Sequence, residues 1–242
     1  MFNYLIFNKR IFIFLYIMVK YDFVEIGTSD FATEIEKATD QTKGLSIEPI
    51  KMYLDNLPDK KNVTKVNVAV SNYTGTINVF YVSPENIKKY DLPKWVRGCN
   101  SVGEYHKTVK RLLLKLGLNP KDIFIKKRVK VLQFKDLVKK YNITEIKYLK
   151  TDTEGHDPVV LNNYLDYIEL RPKLAAHVIQ FESNVLSKRQ DVRDIIKRFQ
   201  KNKYRLIKSG MNTVLVLKGH KLTKKKDSKS MKKTKKNKGC KL

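Results

Sequence analysis

Segments that alternate apolar and polar residues recur along this chain, separated by stretches with helical spacing. Alternation with a period of two marks a strand with one buried face, and apolar residues three and four apart mark a helix. Strands are predicted at 22–27, 45–48, 65–70, 74–82, 126–133, 145–151, 176–182, 204–208 and 213–217. Helices are predicted at 31–39, 50–57, 134–141, 158–170 and 188–201. Gly75 falls in the short turn between the third and fourth strands, so those two are expected to pair antiparallel. The last two strands flank Ser209-Gly210-Met211-Asn212 and read as an edge hairpin. Such alternation of strand and helix predicts an α/β fold, a mainly parallel, doubly wound sheet with helices on both faces.

Residues 83–119 break this rhythm, with Pro84, Pro93, Gly98 and Gly103 and a basic helix-like run at 107–116. A long irregular connection inside a compact domain is usually functional or disordered. Within it, Trp95, Arg97, Asn100, Ser101 and His106 are candidate acceptor-binding residues. Trp95 and Tyr105 could stack on a sugar face or a base, and Arg97 could hold a carboxylate or phosphate. The plainer expectation is a surface insertion with Trp95 tucked into the core.

Charge changes the picture next. The chain carries +26, and residues 218–242 hold twelve lysines and one aspartate, or +11. The remaining 217 residues therefore carry +15, so the folded part is basic as well. Partners of opposite sign are expected: nucleic acid, an anionic membrane or acidic glycans. Residues 218–242 are almost without apolar side chains and are expected to be disordered. With no aromatics among its lysines, that tail would hold nucleic acid or another anionic surface without sequence preference.

Residues 1–20 are aromatic and aliphatic, but Asn8-Lys9-Arg10 leaves 11–19 as the longest apolar run. That is well short of the ~20 residues of a membrane-spanning helix. Three readings stay open for this segment: one that packs on the fold, a spurious extension ahead of Met18, and a membrane anchor. Two cysteines, Cys99 and Cys240, exclude a disulfide framework and fit a reducing compartment. An intracellular, cytoplasmic location is expected, with nuclear or membrane-associated locations open.

The chemistry gathers at predicted strand ends. Asp22-Phe-Val-Glu-Ile-Gly27, Gly44-Leu-Ser-Ile-Glu48 and Lys147-Tyr-Leu-Lys-Thr-Asp-Thr-Glu-Gly155 each deliver acids, two of them with a glycine. In open α/β sheets ligands bind at the carboxyl ends of the strands, and an acid about 20 residues past the first glycine turn can accept ribose hydroxyls. Glu48 stands there. The loop Gly27-Thr-Ser-Asp30 lacks G-x-G-x-x-G and puts a carboxylate where a pyrophosphate would sit. A ligand with ammonium and sulfonium charges suits it better, which favours S-adenosylmethionine over NAD.

Glu25-Ile-Gly27, Ile47-Glu48-Pro49, Asn67-Val-Ala69-Val with Gly75, Leu149-Lys-Thr-Asp-Thr-Glu-Gly155 and Ile179-Gln-Phe-Glu182 occur in this order. Together they resemble the FkbM-type methyltransferases over residues 21–217. The resemblance implies a Rossmann-like sheet of seven strands and S-adenosylmethionine-dependent O-methylation, often of sugar or natural-product hydroxyls. It also implies that Glu25, Gly27 and Asp30 line the methionine end of the cofactor and Glu48 holds its ribose. Ala69 would flank the adenine, and Asp152 would lie beside the methionine amine or the acceptor. Candidate bases are Asp152, Glu154, His156 and Glu182, with Asp152 and Glu154 ranked first. No metal is expected. The first loop departs from the commoner Gly-Ala-Asn-x-Gly, and the lysine tail has no counterpart in the family pattern. That tail keeps two rivals in view: a nucleic-acid methyltransferase tethered by it, and a catalytically idle nucleic-acid-binding protein on the same scaffold.

Overall fold

The structure, a computed structural model, describes residues 19–221. Most of the apolar segment predicted at 1–20 and of the tail predicted at 218–242 therefore lies outside the described residues. In chain order come β1 (Val19–Ile26), α1 (Glu34–Lys37), β2 (Gly44–Ile47), α2 (Lys51–Asn56), β3 (Val63–Val66), β4 (Ala69–Val70) and β5 (Gly75–Val82). The middle of the chain holds α3 (Pro84–Lys89), a 3-10 turn at Lys94–Gly98, β6 (Ser101–Val102), α4 (Lys107–Lys115), α5 (Pro120–Ile123), β7 (Phe124–Leu132) and α6 (Phe134–Lys140). Then follow β8 (Ile143–Thr151), α7 (Asp157–Leu170), β9 (Val178–Glu182), α8 (Arg189–Lys201), β10 (Tyr204–Lys208) and β11 (Asn212–Leu217).

Seven strands form one mixed sheet in the order β10-β11-β9-β8-β1-β2-β3. From β3 to β9 neighbouring strands are parallel, and β11 runs antiparallel to both β9 and β10. The side chains of Val24, Ile26, Leu45, Ile47 and Leu149 join α6, α7 and α8 in the main core. Those of Phe23 and Tyr148 meet α1 and α2 on the opposite face. Each fully buried Val, Leu, Ile or Phe contributes about 1.5–3 kcal/mol relative to exposure, so both helical layers are fixed by strand alternation alone.

Three sequence expectations change here. Residues 65–70 do not form one strand, because β3 ends in the main sheet and β4 starts a second sheet of order β4-β7-β5-β6. The strand after Gly75 pairs antiparallel along β7, whereas β4 pairs parallel with β7, so the expected 65–70/74–82 hairpin does not form. A pairing partner more than 40 residues away outcompetes the adjacent one because it matches β5 over all eight residues, Gly75 to Val82. The predicted helix at 31–39 shrinks to the single turn α1, opened by a capping box in which Thr33 N–H donates to Glu36 Oε2 at 2.7 Å.

The irregular segment 83–119 is ordered around its own small core of Val82, Leu92, Val96, Cys99, Val109, Leu113, Ile123 and Phe124. Its apolar residues have no single period because they come from two helices, a 3-10 turn and strand ends, and only packing unites them. Trp95 sits half-buried against this core. The other face of the second sheet rests on Ile50 and Tyr53 through Val79, and Tyr53 Oη donates to the Val82 carbonyl at 3.2 Å. In this way the insertion is joined rigidly to the end of β2.

The main sheet holds one tight contact that sequence periodicity does not reveal. A Cβ on Gly44 would lie 2.2 Å from the Phe23 ring, which covers it from the paired strand. Gly44→Ala is expected to destabilise the fold by about 1–3 kcal/mol through overpacking, read by urea unfolding. Combined with Phe23→Leu, its cost should be smaller than the sum of the two single substitutions, because the ring is what it meets.

Candidate active site

The strand order reverses between β1 and β8, because the chain leaves β1 toward β2 and β3 and returns to β8 on the other side. Connections diverge at such a point and leave a crevice beyond the strand ends. Register brings three sequence-predicted residues to its floor. The Gly27 N–H donates to the Ile47 carbonyl at 2.9 Å, Glu48 N–H to Val66 at 3.1 Å and Asp152 N–H to Ile26 at 2.9 Å. Each is the first residue beyond its strand, still held by the neighbouring strand. A cleft opens there, floored by Gly27, Glu48 and Asp152.

Gly27 has a left-handed φ of +81°, and a Cβ on it would lie 2.1 Å from the Asp152 carbonyl oxygen. Only glycine permits β1 and β8 to end this close together. Glu48 is buried; its Oε1 accepts the Ile50 N–H at 2.9 Å and its Oε2 the Ser29 N–H at 2.8 Å. Each oxygen retains another lone pair for a ligand hydroxyl. Burial pushes the Glu48 carboxyl up to about 7, against the pull of those two N–H donors.

Gly27, Glu48, Ala69, Asn100, Asp152 and Glu154 line this cleft, so Asn100, expected at the acceptor, sits with the residues expected at the cofactor. Ser29 and Asn100 also line it, and Ser29 Oγ and Asn100 Oδ1 are buried without a hydrogen-bond partner among the described residues. Buried polar atoms of that kind call for a polar ligand or water. Sequence reasoning did not single out Ser29 or Val102, although both stand in segments it marked, the Gly27–Asp30 loop and the irregular stretch 83–119.

Four expected residues are engaged elsewhere. Glu25 is fully buried outside the cleft lining; Lys150 Nζ donates to its Oε1 at 2.6 Å, and the Glu34 N–H at the start of α1 donates to its Oε2 at 2.8 Å. It braces β1, β8 and α1 together. The Asp30 carboxylate is buried between Arg97, whose Nε donates at 2.8 Å, and Asn56, which donates at 2.9 Å. Arg97 also lies over the Phe31 ring at 5.7 Å. Thus the residue expected at the methionine end and the one expected to hold an acceptor anion neutralise each other, latching the insertion onto the loop after β1. Trp95 packs on the insertion core, as the plainer expectation had it.

A second cavity of about 550 Å³ adjoins the first and shares Val102, Glu154 and His156 with it. Ser101, Tyr105 and His106 line it, while the Tyr105 ring stacks on Phe124 at 4.6 Å. Glu154 adopts φ +51°, left-handed for a residue with a side chain, and Gly155 follows at φ +94°. This costs on the order of 1 kcal/mol and turns the Glu154 carboxylate into the junction. Asp157, fully buried, takes over the local helix-end role; Thr153 N–H donates to its Oδ2 at 3.0 Å and Thr151 Oγ1 to its Oδ1 at 2.5 Å.

His106 holds Glu154 from the insertion, with Nε2 and Oε2 3.1 Å apart. Its Nδ1 accepts the Val109 N–H at 3.3 Å, capping α4, so the proton of the neutral ring belongs on Nε2 and points at Glu154. Burial lowers the His106 pKa to about 4, which keeps the ring neutral. Cys99, His106 and Glu154 also bring ligand-type atoms within 4.8 Å of one another, but a protonated Nε2 offers a metal no lone pair. The carboxylates of Asp152, Glu154 and Glu182 form another such group within 4.8 Å, an all-oxygen set that could hold a hard divalent cation or complement an ammonium or sulfonium ligand. Glu182 lines neither cavity; Asn184 Nδ2 donates to its Oε1 at 2.6 Å. His156 lines both, with its Nε2 3.0 Å from Ser71 Oγ.

His106→Ala removes the α4 cap and the Glu154 partner together, and is expected to cost about 1–3 kcal/mol. His106→Gln, which can still donate to Glu154, should recover part of that loss; thermal unfolding of the two variants beside the wild type measures both.

No curated protein and no solved structure gives a significant match to the chain. The family model described as the methyltransferase FkbM domain matches residues 21–206. That span runs from within β1 into β10, covering the second sheet, the crevice, the insertion and all of the main sheet but its terminal hairpin. With a glycine turn, a strand-end acid and a carboxylate cluster assembled at the switch point of such a sheet, the chain belongs to the FkbM methyltransferase family.

Proposed function

We propose that this protein is an S-adenosylmethionine-dependent O-methyltransferase that acts on a hydroxyl of a saccharide or glycoconjugate. The observation that carries the proposal is the pair of adjoining cavities that share Glu154. Two ligands can lie end to end there with a carboxylate at their junction, which is the arrangement a group transfer requires. The order of the main sheet, reversing at β1 and β8, supports a Rossmann-like reading of the scaffold.

The cofactor supplies an electrophilic methyl on a positively charged sulfur. Glu48 would hold its ribose through the lone pairs its backbone bonds leave over, and Ala69 would flank the adenine. Ser29 and Asn100 bring buried polar atoms that a nucleoside and an amino-acid moiety can satisfy. The three carboxylates of Asp152, Glu154 and Glu182 complement an ammonium and a sulfonium charge, and no lysine or arginine lines the first cleft.

The second cavity receives the acceptor. Ser101, Glu104, His106, Lys107 and Glu154 give it hydrogen-bonding walls, which suit a polyhydroxylated molecule. Glu154 is the base: it borders both cavities, whereas Asp152 borders only the first. With the donor bound, its methyl would be exchanged for the acceptor's hydroxyl proton, and the Glu154 carboxylate would accept that proton. His106 acts through Glu154, fixing its direction as an orienting group does for a base.

Calorimetric titration of S-adenosylhomocysteine should give micromolar binding that Glu48→Ala abolishes. No heat from a well-folded wild type would sink the proposal. Hydroxyl donors need the ionised Glu48, so affinity should be full at pH 8 and fall by about tenfold per pH unit below 7. Once an acceptor is found by screening glycans for labelled-methyl incorporation, Glu154→Gln should lower kcat by about 10²–10⁴-fold with S-adenosylhomocysteine binding near wild type. An equal loss of both would assign Glu154 to cofactor binding instead.

A further inference from the structure

The folded part's positive charge is not spread evenly. Residues 107–140 contain twelve lysines and arginines and two aspartates, a net +10 of the +15 carried by residues 1–217. All twelve cations are exposed, and among the described residues only Lys107 has an acidic partner, Glu104 at 3.4 Å. Elsewhere compensation is partial: Arg198 meets Asp166 and Glu169, while residues 188–208 carry nine cations against two aspartates. An uncompensated cationic surface of this density favours an anionic partner.

Part of it has a local explanation. Lys126, Arg128 and Lys130 lie on β7, which β4 pairs only at Val131 and Leu132, and lysines on an open strand edge discourage edge pairing. Helix α4 has no such reason. Its buried side is Val109 and Leu113, packed into the insertion core. Its outward side carries Lys107, Lys110, Arg111 and Leu114 at positions i, i+3, i+4 and i+7, one stripe of a helix. Leu114 closes that stripe beside Lys110, Arg111 and Lys115 and is 58% exposed; Leu116, just past Lys115, is 52% exposed.

Cations and leucines on one outward face have different uses for different partners. Nucleic acid would use the cations, but it gains nothing from leucines and stacks its bases on exposed aromatics. Of the rings around the insertion core, Phe80, Tyr105 and Phe124 are packed on one another, and Tyr90 and Trp95 are partly buried against that core. An anionic bilayer uses both features, the cations at the head groups and the leucines in the acyl boundary. We infer that the outer face of α4, with Leu114 and Leu116 among Lys107, Lys110, Arg111 and Lys115, docks on an anionic membrane surface. Lys107 also lines the second cavity, so docking brings that cavity toward the head groups.

The test is sedimentation of the full chain with phosphatidylcholine vesicles and with vesicles that also contain phosphatidylglycerol. The wild type should sediment with the anionic vesicles alone. Leu114→Ser/Leu116→Ser should lower that partitioning by about tenfold, and Lys110→Glu/Arg111→Glu by at least as much, with unchanged thermal unfolding. Partitioning unaltered in both variants would overturn the inference and assign the binding to charge elsewhere in the chain. Loss with the charge reversal but not with the leucine variant, together with a matching loss of anisotropy on an RNA oligonucleotide, would overturn it in favour of a nucleic-acid surface.

Discussion

β1 lies between β2 and β8, and the three strands stop in register with Ile26 beside both Ile47 and Thr151. The backbones of Gly27 and Asp152 then come so close that a single added carbon would collide with a carbonyl oxygen. Everything chemical in the molecule is built outward from this point. The approach is possible because the polar groups at the strand ends pair with one another, so no N–H of Gly27, Glu48 or Asp152 is lost to the turn. A residue with a side chain at position 27 would push β1 and β8 apart and carry Glu48 and the 152–154 loop out of alignment.

Around this point the protein separates charge by depth. Carboxylates collect at the crevice, three of them within 4.8 Å, while the lysines and arginines of residues 107–140 face solvent. Such an all-oxygen cluster complements a cation, which is the electrostatic ground of the proposed methyl donor. Neutral His106 contributes to the same balance: it supplies a hydrogen-bond donor to Glu154 without adding a charge.

The insertion between β5 and β7 makes the crevice into a two-chambered site. Its own small core gives it rigidity, and it reaches the main body at two polar contacts. Arg97 pairs with Asp30 above the loop after β1, and His106 pairs with Glu154 at the junction. Both contacts join residues at least 48 positions apart, so neither could be read from local spacing. The same helix that presents His106 inward presents Lys110, Arg111 and Leu114 outward. The outward face of α4 and a wall of the second cavity therefore share one rigid element.

The strand ends were legible in the sequence because each is a local event. An alternating run that stops in an acid or a glycine states where a strand ends, and Glu48 and Asp152 follow from that alone. The terminal hairpin and most strands of the main sheet followed from the same periodicity, whereas 65–70 read as one strand and the count of seven came from the family resemblance. Tertiary structure decided the rest, for one physical reason: side-chain chemistry is shared, and a sequence does not show with whom. Glu25 and Asp30 read as ligand-facing acids, yet burial required a counter-charge, and Lys150 and Arg97 reached them first. His106 stands in an irregular stretch without any pattern, and only the packing of α4 aims its proton at Glu154. The sequence determined which strand ends could carry chemistry; long-range pairing decided which of their acids the cavities retain.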